Sequence, residues 1–149
     1  MSYLTPIPAG NGVAPSIGMI ASEVFTQKLQ SNEQTISNNV ATSLLSLSVP
    51  VGVWNISGFV SLRIGDSSYI RLTGLSIGTA VSITNDNKIA TFDGADIYYT
   101  QTTAVGFFVP IVVASISGSS TTYNLVVQAA SGSASPLKGC GWLRATRVA

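Results

Sequence analysis

Few residues in this chain have the chemistry to act on a substrate. The sequence contains no histidine and one thiol, Cys140, set between Gly139 and Gly141. A cysteine flanked by glycines suggests an exposed nucleophile, but thiolate chemistry needs a base or cation to lower the thiol pKa. With no histidine to activate it, Cys140 reads as a small packed hydrophobe. The same absence excludes Ser-His-Asp and Cys-His catalysis, histidine zinc sites and histidine pH switches. The chain is expected not to be an enzyme.

Oxygen ligands are gathered in one stretch. Asp86, Asp93 and Asp96, with Asn85 and Asn87, carry the hard oxygens that calcium prefers. Their spacing fits no EF-hand loop, and Asx residues beside glycine are ordinary turn formers, so turn chemistry is preferred and no metal or other cofactor is expected. Lys138, Arg144 and Arg147 form a basic C-terminal group, since no acid follows Asp96. Such a group would suit phosphate or an acidic glycan. Three charges are too few for nucleic acid, and a spacing of three puts the two arginines on opposite faces of a strand. The preferred reading has one arginine solvated and one paired with an acid of the same or a neighbouring subunit. Tyr98 and Tyr99, followed by Gln101, are of a type that stacks on sugars. The slightly favoured alternative places one tyrosine in the core and one at a subunit contact.

The elements that position these residues follow from composition. The chain has 149 residues and 15.4 kDa, which suits one domain. Charged residues are only 9 % and the net charge is +1, so no strong field draws it to nucleic acid or an anionic membrane. It carries 21 Ser, 14 Thr, 15 Val and 13 Ile, but only three Lys and two Glu. That balance favours pleated sheet over helix. A weakly charged surface also associates readily, as suits a chain that lives in an assembly. Residues 1–22 lack the basic start of a signal peptide, and the apolar stretch Ala104 to Ile116 contains Pro110. It is well short of the roughly 20 residues a membrane helix needs, so a soluble chain without an export signal is expected.

Along the chain, Pro6, Pro8 and Pro15 with Gly10 and Gly12 make residues 1–16 an extended arm. The domain is expected over residues 17–149. Strands are expected at Ile17–Thr26, Ser43–Ser48, Val53–Ile64 and Tyr69–Ile77. Trp54, Ile56, Val60 and Leu62 share one face of the third; Asn55, Ser57, Ser61 and Arg63 share the other, with Phe59 the exception. Turns are expected at Gly65–Ser68, Asn85–Asn87 and Asp93-Gly94, the second joining strands Val81–Thr84 and Lys88–Phe92. Val105–Ile116 is apolar in both parities and reads as a strand buried on both faces. Thr122–Ala130 and Cys140–Val148 complete eight or nine strands. The expected fold is all-β, an antiparallel β-sandwich of the jelly-roll kind.

Several segments resemble small phage virion domains of the tail-fibre-head type. Val49-Pro50-Val51-Gly52-Val53-Trp54-Asn55-Ile56-Ser57-Gly58 is similar to that family's Gly-Asp-Trp-Asp-Val-Ser-Gly strand, with Val53 and Asn55 where aspartates are frequent. Ile17-Gly18-Met19-Ile20 and Ala41-Thr42-Ser43-Leu44-Leu45-Ser46-Leu47 resemble its upstream segments. Tyr123-Asn124-Leu125-Val126-Val127-Gln128-Ala129 and Gly141-Trp142-Leu143-Arg144-Ala145-Thr146-Arg147 resemble its last two strands. Order and spacing match over residues 17–149, except for 64–110. The resemblance implies a trimeric jelly roll of the tumour-necrosis-factor or C1q type, built into a phage particle and without catalytic residues.

Three functions are in view. The first is a capsid decoration, or cement, protein: a homotrimer on the head surface, docked on the major capsid protein or another virion protein. The second is a tail-fibre or tail-spike tip that binds a host-surface glycan or porin. The third is a free lectin-like module. Only about 16 residues precede the domain, where a fibre tip would follow a long shaft, so cement is preferred. Tyr3, Leu4, Ile7 and Val13 are the expected docking residues of the arm. Phe107, Phe108, Val109, Ile111 and Val112 are the expected trimer interface, because a doubly apolar strand in a two-layer fold needs another subunit over one face.

Overall fold

The computed structural model describes residues 22–83 and 88–148, the side chains of Ser67, Pro110 and residues 88–103 excepted. The docking-arm residues Tyr3, Leu4, Ile7 and Val13 and the domain boundary near residue 16 lie outside the described residues. The described elements are β1 (Glu23–Lys28), a 3-10 turn (Gln30–Asn32), β2 (Gln34–Ile36), β3 (Thr42–Val49), β4 (Gly52–Gly78), β5 (Lys88–Ile116), β6 (Thr121–Ser131) and β7 (Leu137–Arg147). All pairings are antiparallel. Among the described residues no helix is long and apolar enough to cross a membrane.

The long strands β4 and β5 belong to two layers at once. As far as Arg63, β4 pairs with β7 on one side and with the second half of β5 on the other. From Ile70 onward it pairs instead with β6 and the first half of β5. β1 and β2 extend the first layer beyond β7, and β3 extends the second beyond β6. The layers face each other across one core. A Cβ at Gly58 in the first layer would touch Leu125 and Ile77 of the second, and one at Gly139 would touch Leu44. The fold is an antiparallel β-sandwich, as composition and strand spacing suggested.

The period-two reading of β4 holds. Trp54, Ile56, Val60 and Leu62 are fully buried, while Asn55, Ser57, Phe59, Ser61 and Arg63 are half-buried on the outer side. Trp54 and its fully buried neighbours anchor the core, where each such side chain contributes roughly 1.5–3 kcal/mol relative to exposure.

Two expected turns are absent from their places. Gly65–Ser68 lies inside β4, where Arg63 opposes Ala104 but Ser68 already opposes Thr102. The surplus residues on β4 form a wide irregularity at which the strand changes partners, a corner rather than a reversal. Asp93-Gly94 likewise lies inside β5, at the shift between Leu72 and Gly74. Glycine and aspartate mark bulges as readily as turns. The segment 79–83 is bend and coil rather than strand, and Asn85–Asn87 lies outside the described residues.

Val105–Ile116 is also corrected. Ile56 opposes Val112 whereas Gly58 opposes Val109, so β5 holds one extra residue across this step. This bulge falls at Pro110-Ile111, where a proline costs the ladder no donor it needs. Val105, Phe107 and Val109 face the core before it, and Val112, Ala114 and Ile116 after it. The strand is therefore buried on one face, and the parity change disguises a single alternating pattern as two apolar faces.

Candidate interaction surface

The outward face of the first layer gathers several large aromatic and branched side chains that the core does not use. Register sets them in rows across the strands. Trp142 of β7 opposes Phe59 of β4, which opposes Phe108 of β5. In the next rows Arg144 opposes Ser57, and Asn55 lies between Thr146 and Val113. The Phe59 and Phe108 rings are 4.9 Å apart and tilted by 51°. Trp142 lies 6.4 Å from Phe59 and 6.3 Å from Phe108, in stacked and edge-on arrangements. Such pairs add about 0.5–1.5 kcal/mol each beyond burial.

Glycine makes room for this cluster. A Cβ at Gly106 would stand 2.8 Å from Cζ of Phe59, so the phenyl ring lies over bare backbone. Phe59, the exception in its strand's alternation, is thus the centre of the outer face.

Beyond the rings the edge of β5 is open among the described residues. Phe108 is 75 % exposed, Ile111 68 % and Val113 66 %. All three point outward from a strand half that, among the described residues, pairs only with β4. Charge is balanced here: Arg144 lies 5.4 Å over the Trp142 ring and 3.8 Å from Glu23 Oε1. That exposed ion pair adds little stability, but it leaves the face neutral.

The structure separates the five expected interface residues. Phe108 and Ile111 are on the outer surface, whereas Phe107, Val109 and Val112 pack on the core. Phe59, Trp142 and Val113 were missed by sequence reasoning. Phe59 had a visible signal, a large aromatic at an outward position of a clean alternation.

The remaining candidates are placed as follows. Cys140 is a free, half-buried thiol whose pKa is raised, first by burial and then by Glu33, against a Ser61 hydrogen bond and Arg63. Its flanking glycines have steric reasons. Gly139 packs on Leu44 and Ile36, and a Cβ at Gly141 would collide with the carbonyl oxygen of Phe59. Arg144 and Arg147 take opposite faces of β7, Arg147 lying 5.9 Å from the Trp54 ring. Among the described residues no three His, Cys, Asp or Glu side chains gather as a metal site. The side chains of Asp93, Asp96, Tyr98, Tyr99 and Gln101, and all of Asn85, Asp86 and Asn87, lie outside the described ones.

No protein-family model and no curated protein sequence matches the chain. Among solved structures, a chain of the T13 particle of infectious bursal disease virus is similar over 96 % of this chain and 36 % of its own length, with TM-score 0.55 and 14 % identity. The Gx strain of the same virus gives TM-score 0.47 at 18 % identity, covering 84 % of this chain and 30 % of that one. Its VP2 subviral particle gives 0.40 at 13 %, covering 85 % and 30 %. The chain thus spans about a third of the length of the first of these, and what it shares with that virus-particle chain is the fold, an antiparallel β-sandwich.

Proposed function

We propose that the chain is a trimeric structural protein of a virus particle, a phage capsid decoration protein that stabilises the head surface. The observation that carries this reading is the outer face of the first layer. Phe108, Ile111 and Val113, beside Phe59 and Trp142, form one neutral apolar surface, and Phe108, Ile111 and Val113 are the most exposed of the large hydrophobic side chains described. Contiguous apolar surface of this kind marks an interaction site. Its occupant is a second copy of this chain, since a weakly charged, Ser- and Thr-rich surface associates readily, and repeated head-to-tail contacts of one patch close into a ring. The count of three rests on the resemblance to trimeric phage domains. Likeness in fold to a virus-particle chain supports the virion setting.

Residues 2–16 then serve as the docking arm, with Tyr3, Leu4, Ile7 and Val13 seated on the capsid. Proline limits the arm's freedom and so lowers the entropy lost on docking. Each seated apolar side chain contributes roughly 1.5–3 kcal/mol, multiplied by avidity over the arms of one oligomer. Deleting residues 2–16 is expected to leave the assembled β-sandwich intact and to abolish its retention on particles. Heads without the protein should lose resistance to heat and osmotic shock while adsorption to cells stays normal. Full occupancy by the truncated chain would refute the arm. Lost adsorption with sturdy heads would make the chain a fibre tip instead.

A further inference from the structure

At the corner where β4 changes layers lies a cleft of about 290 Å³, lined by Glu33, Arg63, Ile64, Gly65, Ser135, Pro136 and Lys138. That is the small end of the range of ligand pockets, about 300–1,000 Å³. It is four residues along β4 from Phe59, about 13 Å at the usual strand rise, and so lies beyond the aromatic row.

Its polar groups are positioned by the fold. Arg63 and Lys138 are register partners on β4 and β7, which sets two cations side by side. Arg63 Nη1 lies 3.2 Å from Glu33 Oε1, and the Glu33 side chain is only 11 % exposed. With its oxygen turned inward, the Gln30 amide accepts from Arg63 Nη2 at 3.1 Å. Arg63 is therefore held from two sides and Glu33 is fixed as an acceptor. Among the described residues no acid pairs with Lys138. Gly65 keeps the floor open, since a Cβ there would stand 3.2 Å from Ser135 Oγ.

The cleft thus combines an unpaired cation, a second cation, a fixed carboxylate, a hydroxyl and the apolar ring of exposed Pro136. A compact anion such as phosphate fits this set poorly, because it has no neutral hydroxyls set apart from its charge to reach Glu33 and Ser135 while the charge lies on Lys138. A ligand that carries both a carboxylate and hydroxyl donors satisfies every group. We propose that the cleft binds an acidic sugar residue of a glycan, a hexuronic acid being the simplest case. The sugar carboxylate lies on Lys138 and Arg63, ring hydroxyls meet Glu33 and Ser135, and the C–H face of the ring rests on Pro136. This site stands whether or not the chain belongs to a virus particle.

Titrating the full chain with methyl glucuronide, methyl glucoside and inorganic phosphate, followed by NMR, tests the assignment. The glucuronide is expected to bind saturably, with the glucoside and phosphate each about tenfold weaker or worse. Lys138→Glu, at an exposed position, should lower glucuronide affinity about tenfold or more without moving the thermal transition, and Lys138→Gln should act in the same direction. Phosphate matching the glucuronide would reduce the cleft to a simple anion site and overturn the proposal. No saturable glucuronide binding, equal binding of the glucoside, or binding indifferent to both Lys138 variants would overturn it as well.

Discussion

Replacing Phe108 and Ile111 together by aspartate is expected to leave a folded monomer. Both side chains project into solvent from the open edge of β5, and neither belongs to the core. The core is untouched and only the two ring contacts of Phe108, about 1–3 kcal/mol together, are lost, so the melting temperature should fall by roughly 2–12 °C without unfolding the chain. Assembly loses far more. Burying a phenylalanine and an isoleucine is worth roughly 3–6 kcal/mol per interface, on the order of 10²- to 10⁴-fold in affinity, before the cost of desolvating two carboxylates. Phe107→Asp provides the contrast. Its side chain packs on the core, so unfolding rather than clean dissociation is expected. Light scattering and circular dichroism on the two variants separate these outcomes. A Phe108/Ile111 double variant that keeps its native mass would remove the outer face from the assembly.

Gly141→Ala should have the largest effect on stability of a methyl group added at any glycine whose surroundings are described. The new Cβ would fall on the Phe59 carbonyl oxygen, with Val60 Cα only 3.2 Å away. Both obstacles are backbone of the adjacent strand, paired with β7 at Val60 and Gly141, so no side-chain rotation relieves them. Relief requires the β4–β7 ladder to open, and that ladder joins β1 and β2 to the rest of the first layer. A loss of about 4 kcal/mol or more is expected, in the range reserved for steric disruption of a core, or roughly 8–16 °C in melting temperature. Gly118→Ala is the control. A Cβ there meets nothing within 4 Å, and only its φ of +86° opposes the change, so about 1 kcal/mol is expected. Equal melting temperatures for the two variants would contradict this packing of β7 on β4.

The sequence carried most of the sandwich and part of the surface. Alternation in Val53–Ile64 was legible because Trp54, Ile56, Val60 and Leu62 repeat every second residue against polar partners. Val105–Ile116 misled because the bulge at Pro110-Ile111 shifts parity, and a period-two pattern with one insertion looks apolar on both sides. Gly65–Ser68 and Asp93-Gly94 misled because turn-forming residues also serve where a strand bends or changes partners. The Gly139-Cys140-Gly141 run looked chemical, but each glycine answers to a neighbour it must touch. Phe59, Trp142 and Phe108 are distant in sequence, and only the register of three strands brings their rings together. The Arg63–Lys138 cleft is of the same kind. A basic residue on each of two strands says nothing until the strands are paired.

The mass of the unmodified chain in solution tests the central claim most directly, that its outer face is covered by further copies of itself. Sedimentation over a range of micromolar concentrations should give one species of about 46 kDa, three copies of the 15.4 kDa chain, with no dissociation on dilution to about 1 µM. A single 15.4 kDa species at the highest concentration would contradict the account, because Phe108, Ile111 and Val113 would then stand in water with nothing to cover them.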